Sequence, residues 1–266
     1  MSASFPLFRG LIRDLDPGAV ATPDAIPDGF LLARTGALSL HYIPFDYVNR
    51  GARVVVVGIT PGFVQWKNAT LAAHRQLIAG ATDDEVLRCA KYTGAFSGAI
   101  RPNLVALLDA IGLQRWLGIA SCATLFGEHA GLMHVTAVLR HPVFVTGKDG
   151  KGKNYNGAAP DMVGNPLLQA QMLAYFAHEA AALPDALYVP LGPNVGRALD
   201  WLARRGVLDG SRILHGLPHP SGANAERIAY FLGRKDRASL SSRTDGARID
   251  ADRQALLARM AALGVR

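Results

Sequence analysis

Arg53-Val54-Val55-Val56-Val57-Gly58-Ile59-Thr60-Pro61-Gly62-Phe63 is the stretch whose reading decides the fold. A strand with one wet face alternates apolar and polar residues. Four successive valines between an arginine and a glycine instead describe a strand covered on both faces, as in a parallel sheet flanked by helices. The residues that follow stop the strand and build a rigid turn. Gly58 carries no Cβ, Pro61 fixes φ at about −65° and removes a donor, and Gly62 tolerates φ > 0. In open α/β sheets ligands bind at the carboxyl ends of the strands, so this turn is the first candidate for a functional loop.

A second loop shares the design. Arg212-Ile213-Leu214-His215-Gly216-Leu217-Pro218-His219-Pro220-Ser221-Gly222-Ala223-Asn224 carries a short apolar run into a turn rich in proline, glycine and polar groups. Together the two loops resemble those of the uracil-DNA glycosylase superfamily. Gly58-Ile59-Thr60-Pro61-Gly62 is similar to its first motif, Gly-x-x-Pro-Gly in several branches. His219-Pro220-Ser221-Gly222-Ala223-Asn224 is similar to its second, His-Pro-Ser with a short tail. Thr93-Gly94-Ala95-Phe96-Ser97-Gly98 resembles the segment whose phenylalanine stacks on an extruded base, and Leu104 to Leu113 reads as the helix after it. Tyr188-Val189-Pro190-Leu191-Gly192 is similar to the third strand. The resemblance covers residues 54–231 in patches. It implies a uracil-DNA glycosylase-like α/β fold and base-excision chemistry on DNA, with no metal or cofactor.

The order of elements leads to the same fold independently. Strands are predicted near 53–58, 186–191 and 212–216, while Trp116 to Cys122 and Val135 to Leu139 compete for a further place. Helical patterns separate them, which gives a three-layer α/β/α sandwich on a four-stranded parallel sheet. Between Lys67 and Ala90 apolar residues recur at helical spacing, with Thr82 before Asp83-Asp84-Glu85 as N-cap and acidic first turn. Relative to the resemblance this is an insertion and a candidate lid. Pro166 to Ala182 is helical by pattern, and Gly192-Pro193-Asn194 starts a helix whose first amides can face an anion. Pro6, Pro17, Pro23, Pro27 and Pro44 divide residues 1–50 into an irregular arm packed on a domain spanning 51–266. Phe5, Phe8, Phe30, Tyr42 and Phe45 are its expected packing anchors. Residues 147–157, rich in glycine and lysine, read as a flexible basic loop without the register of a P-loop.

Composition narrows the function classes. With 50% hydrophobic residues the 266-residue chain has material for a sizeable core, and disorder is excluded. The net charge of +7 is uneven: 13 basic residues stand against 7 acidic from Arg197 onward, and 15 against 14 before it. A basic last third suits a phosphate-bearing partner such as DNA. Two cysteines, Cys89 and Cys122, make neither a disulfide framework nor a metal cluster. Glu128-His129 lacks a third ligand at metal-binding spacing. No signal peptide or 18-residue apolar run is read, so the expectation is a cytoplasmic monomer with no membrane contact.

An enzyme that removes a base from DNA must take it out of the stack, hold it, and stabilise the charge that develops on the leaving base. His219, fixed between Pro218 and Pro220, is the best donor in the chain; the resemblance gives it the hydrogen bond to the base O2. Gly58, Ile59, Pro61, Gly62 and Phe63 with Phe96 would form the base pocket. Ser221, Gly222, Ala223, Asn224 and Arg227 would hold the DNA backbone.

Thr60 departs from the family, which often places Asp, Asn or Glu in or near that slot. A threonine hydroxyl is too weak a base at neutral pH and can only orient a water. The asparagine that commonly reads the base edge is also missing from Ser121 and Ala137; Asn154 and Asn156 are substitutes. Three functions stay open: a DNA glycosylase for uracil or a related deaminated base, a catalytically silent binder of damaged or single-stranded DNA, and a protein for a small nucleotide-like ligand.

Overall fold

The computed structural model describes residues 4–94 and 100–264. In chain order its helices and strands are α1 (Phe5–Arg13), β1 (Leu31–Thr35), β2 (Leu38–His41), β3 (Val54–Gly58), α2 (Phe63–Ile78), α3 (Asp83–Gly94), α4 (Ile100–Ala110), α5 (Leu113–Leu117), β4 (Met133–Ala137), β5 (Val143–Thr146), β6 (Gly152–Asn154), α6 (Pro166–Gln171), α7 (Ala177–Ala181), β7 (Leu187–Pro190), α8 (Pro193–Ala203), α9 (Ala225–Phe231) and α10 (Gly246–Leu263). The chain divides into two compact units. The first holds residues 1–48, 59–95 and 135–182, and the second holds 49–58, 96–134 and 183–266. The boundary expected at residue 50 therefore does not separate an arm from a domain. Residues of the arm share a unit with α2, α3 and the 135–182 segment.

In the second unit the valine strand forms as read. Val54 to Val57 are buried on both faces, and β3 pairs in parallel with β7, Val54 opposite Leu187 and Val57 opposite Pro190. The sheet has the order β4-β3-β7 among the described residues. Of the two competing runs the one at 135–139 supplies the strand, as β4, whereas residues 116–122 run from the end of α5 into a 3₁₀ turn. Gly112 and Gly118 bracket α5 in left-handed conformations that close the helix at both ends. The α/β class with a parallel sheet and helices stands, but the fourth strand is cut to a single parallel bridge between Ile213 and Tyr188. A 3₁₀ turn over Gly210–Arg212 precedes it and Gly216 at φ 106° follows, leaving no extended run to pair.

The first unit has a sheet of its own, antiparallel in the order β1-β2-β5-β6, which the sequence reading did not contain. Helix α1 also lies within the expected irregular arm. Pro6 sits in its first turn, where a missing N–H breaks no helical bond. The arm's aromatics do pack: Phe5, Phe30, Tyr42 and Phe45 join Trp66 and Phe144 in one core, and Phe8 stacks on Tyr42 at 3.9 Å between centroids. Residues 147–157 are not a free loop throughout, because β6 pairs with β5 and the tip closes through Gly147 N–H to Lys151 O at 2.9 Å. In α3 the cap is the one read: Thr82 Oγ1 accepts from Glu85 N–H, and Glu85 Oε2 accepts from Thr82 N–H at 2.8 Å. Asn165 caps α6 through the amides of Leu167 and Leu168, and a π-helical turn over Met172–Phe176 joins α6 to α7.

Four charges lie inside this unit. Arg140 Nε meets Glu179 Oε1 at 2.5 Å, and Lys91 Nζ stands 3.7 Å from Glu179 Oε2. Arg140 is also 4.0 Å from Asp46, which accepts from the Tyr42 hydroxyl at 2.6 Å. Removing one member leaves an uncompensated charge out of water. Glu179→Ala should lower unfolding free energy by about 3–5 kcal/mol, measured by urea denaturation, since Arg140 and Lys91 both lose their carboxylate.

Two buried histidines set an acid limit. Burial pushes His41 from 6.5 down to about 4 and holds His141 well below the ordinary value. Unfolded imidazoles take up protons near 6.5 and the folded ones do not, so this contribution is complete above that pH and is lost as pH falls towards about 4. Denaturant midpoints measured from pH 7 downward should drop across that window, and a His41→Phe variant should flatten the drop.

Candidate active site

The first motif lies in the first unit from Ile59 onward. Thr60 occupies a structural position. Its hydroxyl donates to His141 O at 3.0 Å and accepts from Val143 N–H at 3.2 Å. Leu139 N–H adds a bond to Ile59 O at 3.0 Å, so the loop is fastened along 139–143. The single Thr60 proton is thereby committed to the His141 carbonyl.

Gly62 is also used differently from the reading. Its φ is −84°, ordinary extended backbone, so what the glycine provides here is space for two capping side chains. A Cβ there would stand 2.8 Å from Gln65 Oε1 and 3.1 Å from Asn154 Nδ2. With no side chain at this N-cap, Gln65 Oε1 accepts from Gly62 N–H at 3.0 Å and Asn154 Oδ1 from Phe63 N–H at 2.9 Å. Asn154 is thus a cap contributed from β6. Phe63, expected in a pocket wall, packs on the core and stacks with Trp66. Pro61 is buried, Gly58 and Ile59 are half-buried, and Phe96 lies outside the described residues.

The second motif lies in the second unit. Beyond β7 the chain reaches Gly192, the N-cap of α8, whose φ of 93° turns it into that helix. His219 is partly buried, and its Nδ1 accepts from Ser221 N–H at 3.2 Å. That bond assigns the neutral ring's proton to Nε2, making that nitrogen a donor. Burial keeps the ring's pKa below the ordinary histidine value, so it is neutral at pH 7. Neighbours fix the turn further: Asn103 Nδ2 donates to Pro220 O at 3.0 Å, and Asn224 Nδ2 to Ser221 Oγ at 3.1 Å. Gly222 and Ala223 open a 3₁₀ turn, where their amides have no preceding helical acceptor.

His219 lines a cleft of about 660 Å³ formed by residues of the second unit. His215, Asn224 and Arg227 line it too, as do Gly192 and Pro193 at the start of α8. Its remaining cations are Arg197, Arg243 and Arg248. None of these three, nor His215, was singled out from sequence. The basic excess after Arg197 marked the region and could not rank its members. Arg227, expected on DNA, donates to Asn224 Oδ1 at 2.9 Å and to Arg243 O at 3.2 Å, so it also holds the cleft wall together. Among the described residues no group of three His, Cys, Asp or Glu side chains forms a metal-ligand set.

His215 is held as firmly as His219. Its Nε2 lies 3.0 Å from Asp200 Oδ1, and Gly196 on α8 makes room for the ring, since a Cβ there would meet Nδ1 at 3.0 Å. Glycine inside a helix costs about 0.5–1 kcal/mol relative to alanine. Gly196→Ala should gain about that much in a His215→Ala background and distinctly less in the wild type, measured as a double-mutant cycle of thermal stability.

No family model matches the chain. A solved structure, wild-type SMUG2 of Pedobacter heparinus, aligns over 97% of this chain and 98% of that one, with 12% identity and a TM-score of 0.40. No helix among the described residues is long and apolar enough to cross a membrane. The uncharacterized protein YoxB of Bacillus subtilis is 35% identical over 236 residues, 88% of this chain and 90% of that protein. At that identity and coverage, the chain belongs to the family of YoxB.

Proposed function

We propose that the protein hydrolyses the N-glycosidic bond of uracil or a related deaminated base in DNA. The observation that carries this reading is His219. It is a neutral imidazole with its Nε2–H fixed as donor by Ser221, in a cleft whose wall bears several arginines. As the C1′–N bond breaks, its electron pair goes to the base, and negative charge develops on the base oxygen. The Nε2–H donates to that oxygen, water adds to C1′, and the water's proton goes to solvent. Ser221, Gly222, Ala223 and Asn224 hold the backbone beside the target. By the motif resemblance alone, Gly58, Ile59, Pro61, Gly62 and Phe96 would face the base.

Thr60 holds its loop in place of activating water, so catalysis rests on stabilising the leaving base. The same observation favours a second reading, a catalytically silent binder of damaged or single-stranded DNA. Alkali cleavage of oligonucleotides carrying uracil, hypoxanthine or xanthine separates the two, since only an enzyme leaves abasic sites.

His219→Ala should lower the single-turnover rate by about 10²–10³-fold with DNA affinity nearly intact, because its bond strengthens only as charge develops. Affinity falling in parallel with rate would assign His219 a structural part. The wild-type rate should decline on acidification only at a pH below the ordinary histidine pKa, because burial lowers that of His219. His219 protonates below its ordinary pKa, and a proton on Nδ1 would oppose Ser221 N–H.

A further inference from the structure

Between α9 and α10 the chain runs through residues 232–245, and one carboxylate gathers this segment. Glu226 accepts from Lys235 Nζ at 2.8 Å, from Ser241 N–H at 3.1 Å, from Ser241 Oγ at 2.6 Å, and from the Thr244 hydroxyl. Lys235 first, then the two hydroxyls, hold its carboxyl far below the usual range, so the hub is ionised at any working pH. Arg227 closes the other side by donating to Arg243 O. Arg243 therefore stands on a backbone tied at 241, at 244 and at its own carbonyl. Its guanidinium meets no partner among the described residues and lines the cleft beside His219.

None of the cleft's carboxylates forms an ion pair with it among the described residues. Asp200 is paired with His215, Asp252 stands 3.8 Å from Arg248, and Asp245 caps α10 through Arg248 N–H. Arg227 directs two of its donors to neutral oxygens. A solvated surface arginine ordinarily sits on a chain free to move. A guanidinium on a pinned backbone, with no ion-pair partner and its fork of donors unused, is preorganised for a phosphate oxygen.

We infer that Arg243, positioned by Glu226 and Arg227, contacts a phosphodiester of a nucleic-acid strand in this cleft, an inference that rests on the proposed action on DNA. The experiment measures binding of a labelled deoxyoligonucleotide by anisotropy in KCl from about 50 to 200 mM. Arg243→Gln should weaken binding and reduce the slope of log K against log[salt] by about 0.7–0.9, as expected for one lost phosphate contact. Arg243→Lys should restore the slope and part of the affinity. Glu226→Gln removes a negative charge, so charge alone would tighten binding; loosening the 241–244 segment should weaken it several-fold instead. An unchanged slope in Arg243→Gln, or tighter binding by Glu226→Gln, overturns the proposal. Displacement of the strand by inorganic phosphate beyond that caused by chloride at equal ionic strength would make this a site for free phosphate and overturn it as well. A wild type that binds no oligonucleotide removes this contact and the DNA partner together. Intact binding with no turnover removes only the glycosidase.

Discussion

Two cations and two carboxylates that share the interior of the first unit set the positions of much else in it. Arg140 follows β4, Lys91 lies on α3, Glu179 on α7, and Asp46 on the segment after β2. Each ion loses its water on folding, and only the geometry of the other three offsets that loss. Lys91 also donates to Phe45 O at 3.1 Å, and Arg140 to Tyr175 O at 3.2 Å, so spare donors find backbone acceptors. Burial pulls Lys91 down to about 8, still charged at neutral pH. Helices shifted by one turn would strand one of these charges without its partner, so the cluster penalises such packings.

The consequence reaches the first motif through a single residue. His141 adjoins Arg140, and its carbonyl accepts from Thr60 and, at 3.4 Å, from Gln171. The loop after Gly58 is thus fastened to a residue whose neighbour is locked among buried charges. That explains a hydroxyl where an acid would be chemically stronger. A carboxylate at 60 has no proton to give His141 O, and its charge would sit over an acceptor. Threonine suits a place that needs one donor and one acceptor at once.

How much of this was legible depends on whether the signal was local. Four valines announce a doubly covered strand wherever they occur, and β3 follows. The His-Pro-Ser turn is similarly readable because prolines on both sides restrict it whatever surrounds it. Gly62 shows the limit: a glycine in a Pro-Gly turn suggested a left-handed backbone, but what it gives is room for Gln65 and for Asn154, 92 positions away. Asp46, Lys91, Arg140 and Glu179 look in sequence like any solvated charges, and only the fold brings them together. Pro6 misled in the opposite sense, since a helix breaker in the interior is harmless in a first turn. In the cleft, sequence placed the positive charge in the last third, but could not tell the arginine that ties the wall, Arg227, from the unpaired Arg243.

Under the proposed chemistry, charged and neutral donors have different tasks. An arginine attracts an anion whether or not a reaction proceeds, so its contribution is equal in the ground and transition states and appears as affinity. A neutral imidazole attracts a neutral base weakly and a departing anion strongly, so its contribution appears as rate. The bond from Ser221 N–H to Nδ1 supports this, because it fixes the tautomer and opposes protonation of that nitrogen. An imidazolium would behave as another arginine, drawn to phosphate before any bond had broken. Keeping His219 neutral beside guanidiniums therefore separates holding the strand from cleaving the bond, and burial, which lowers its pKa, provides that separation.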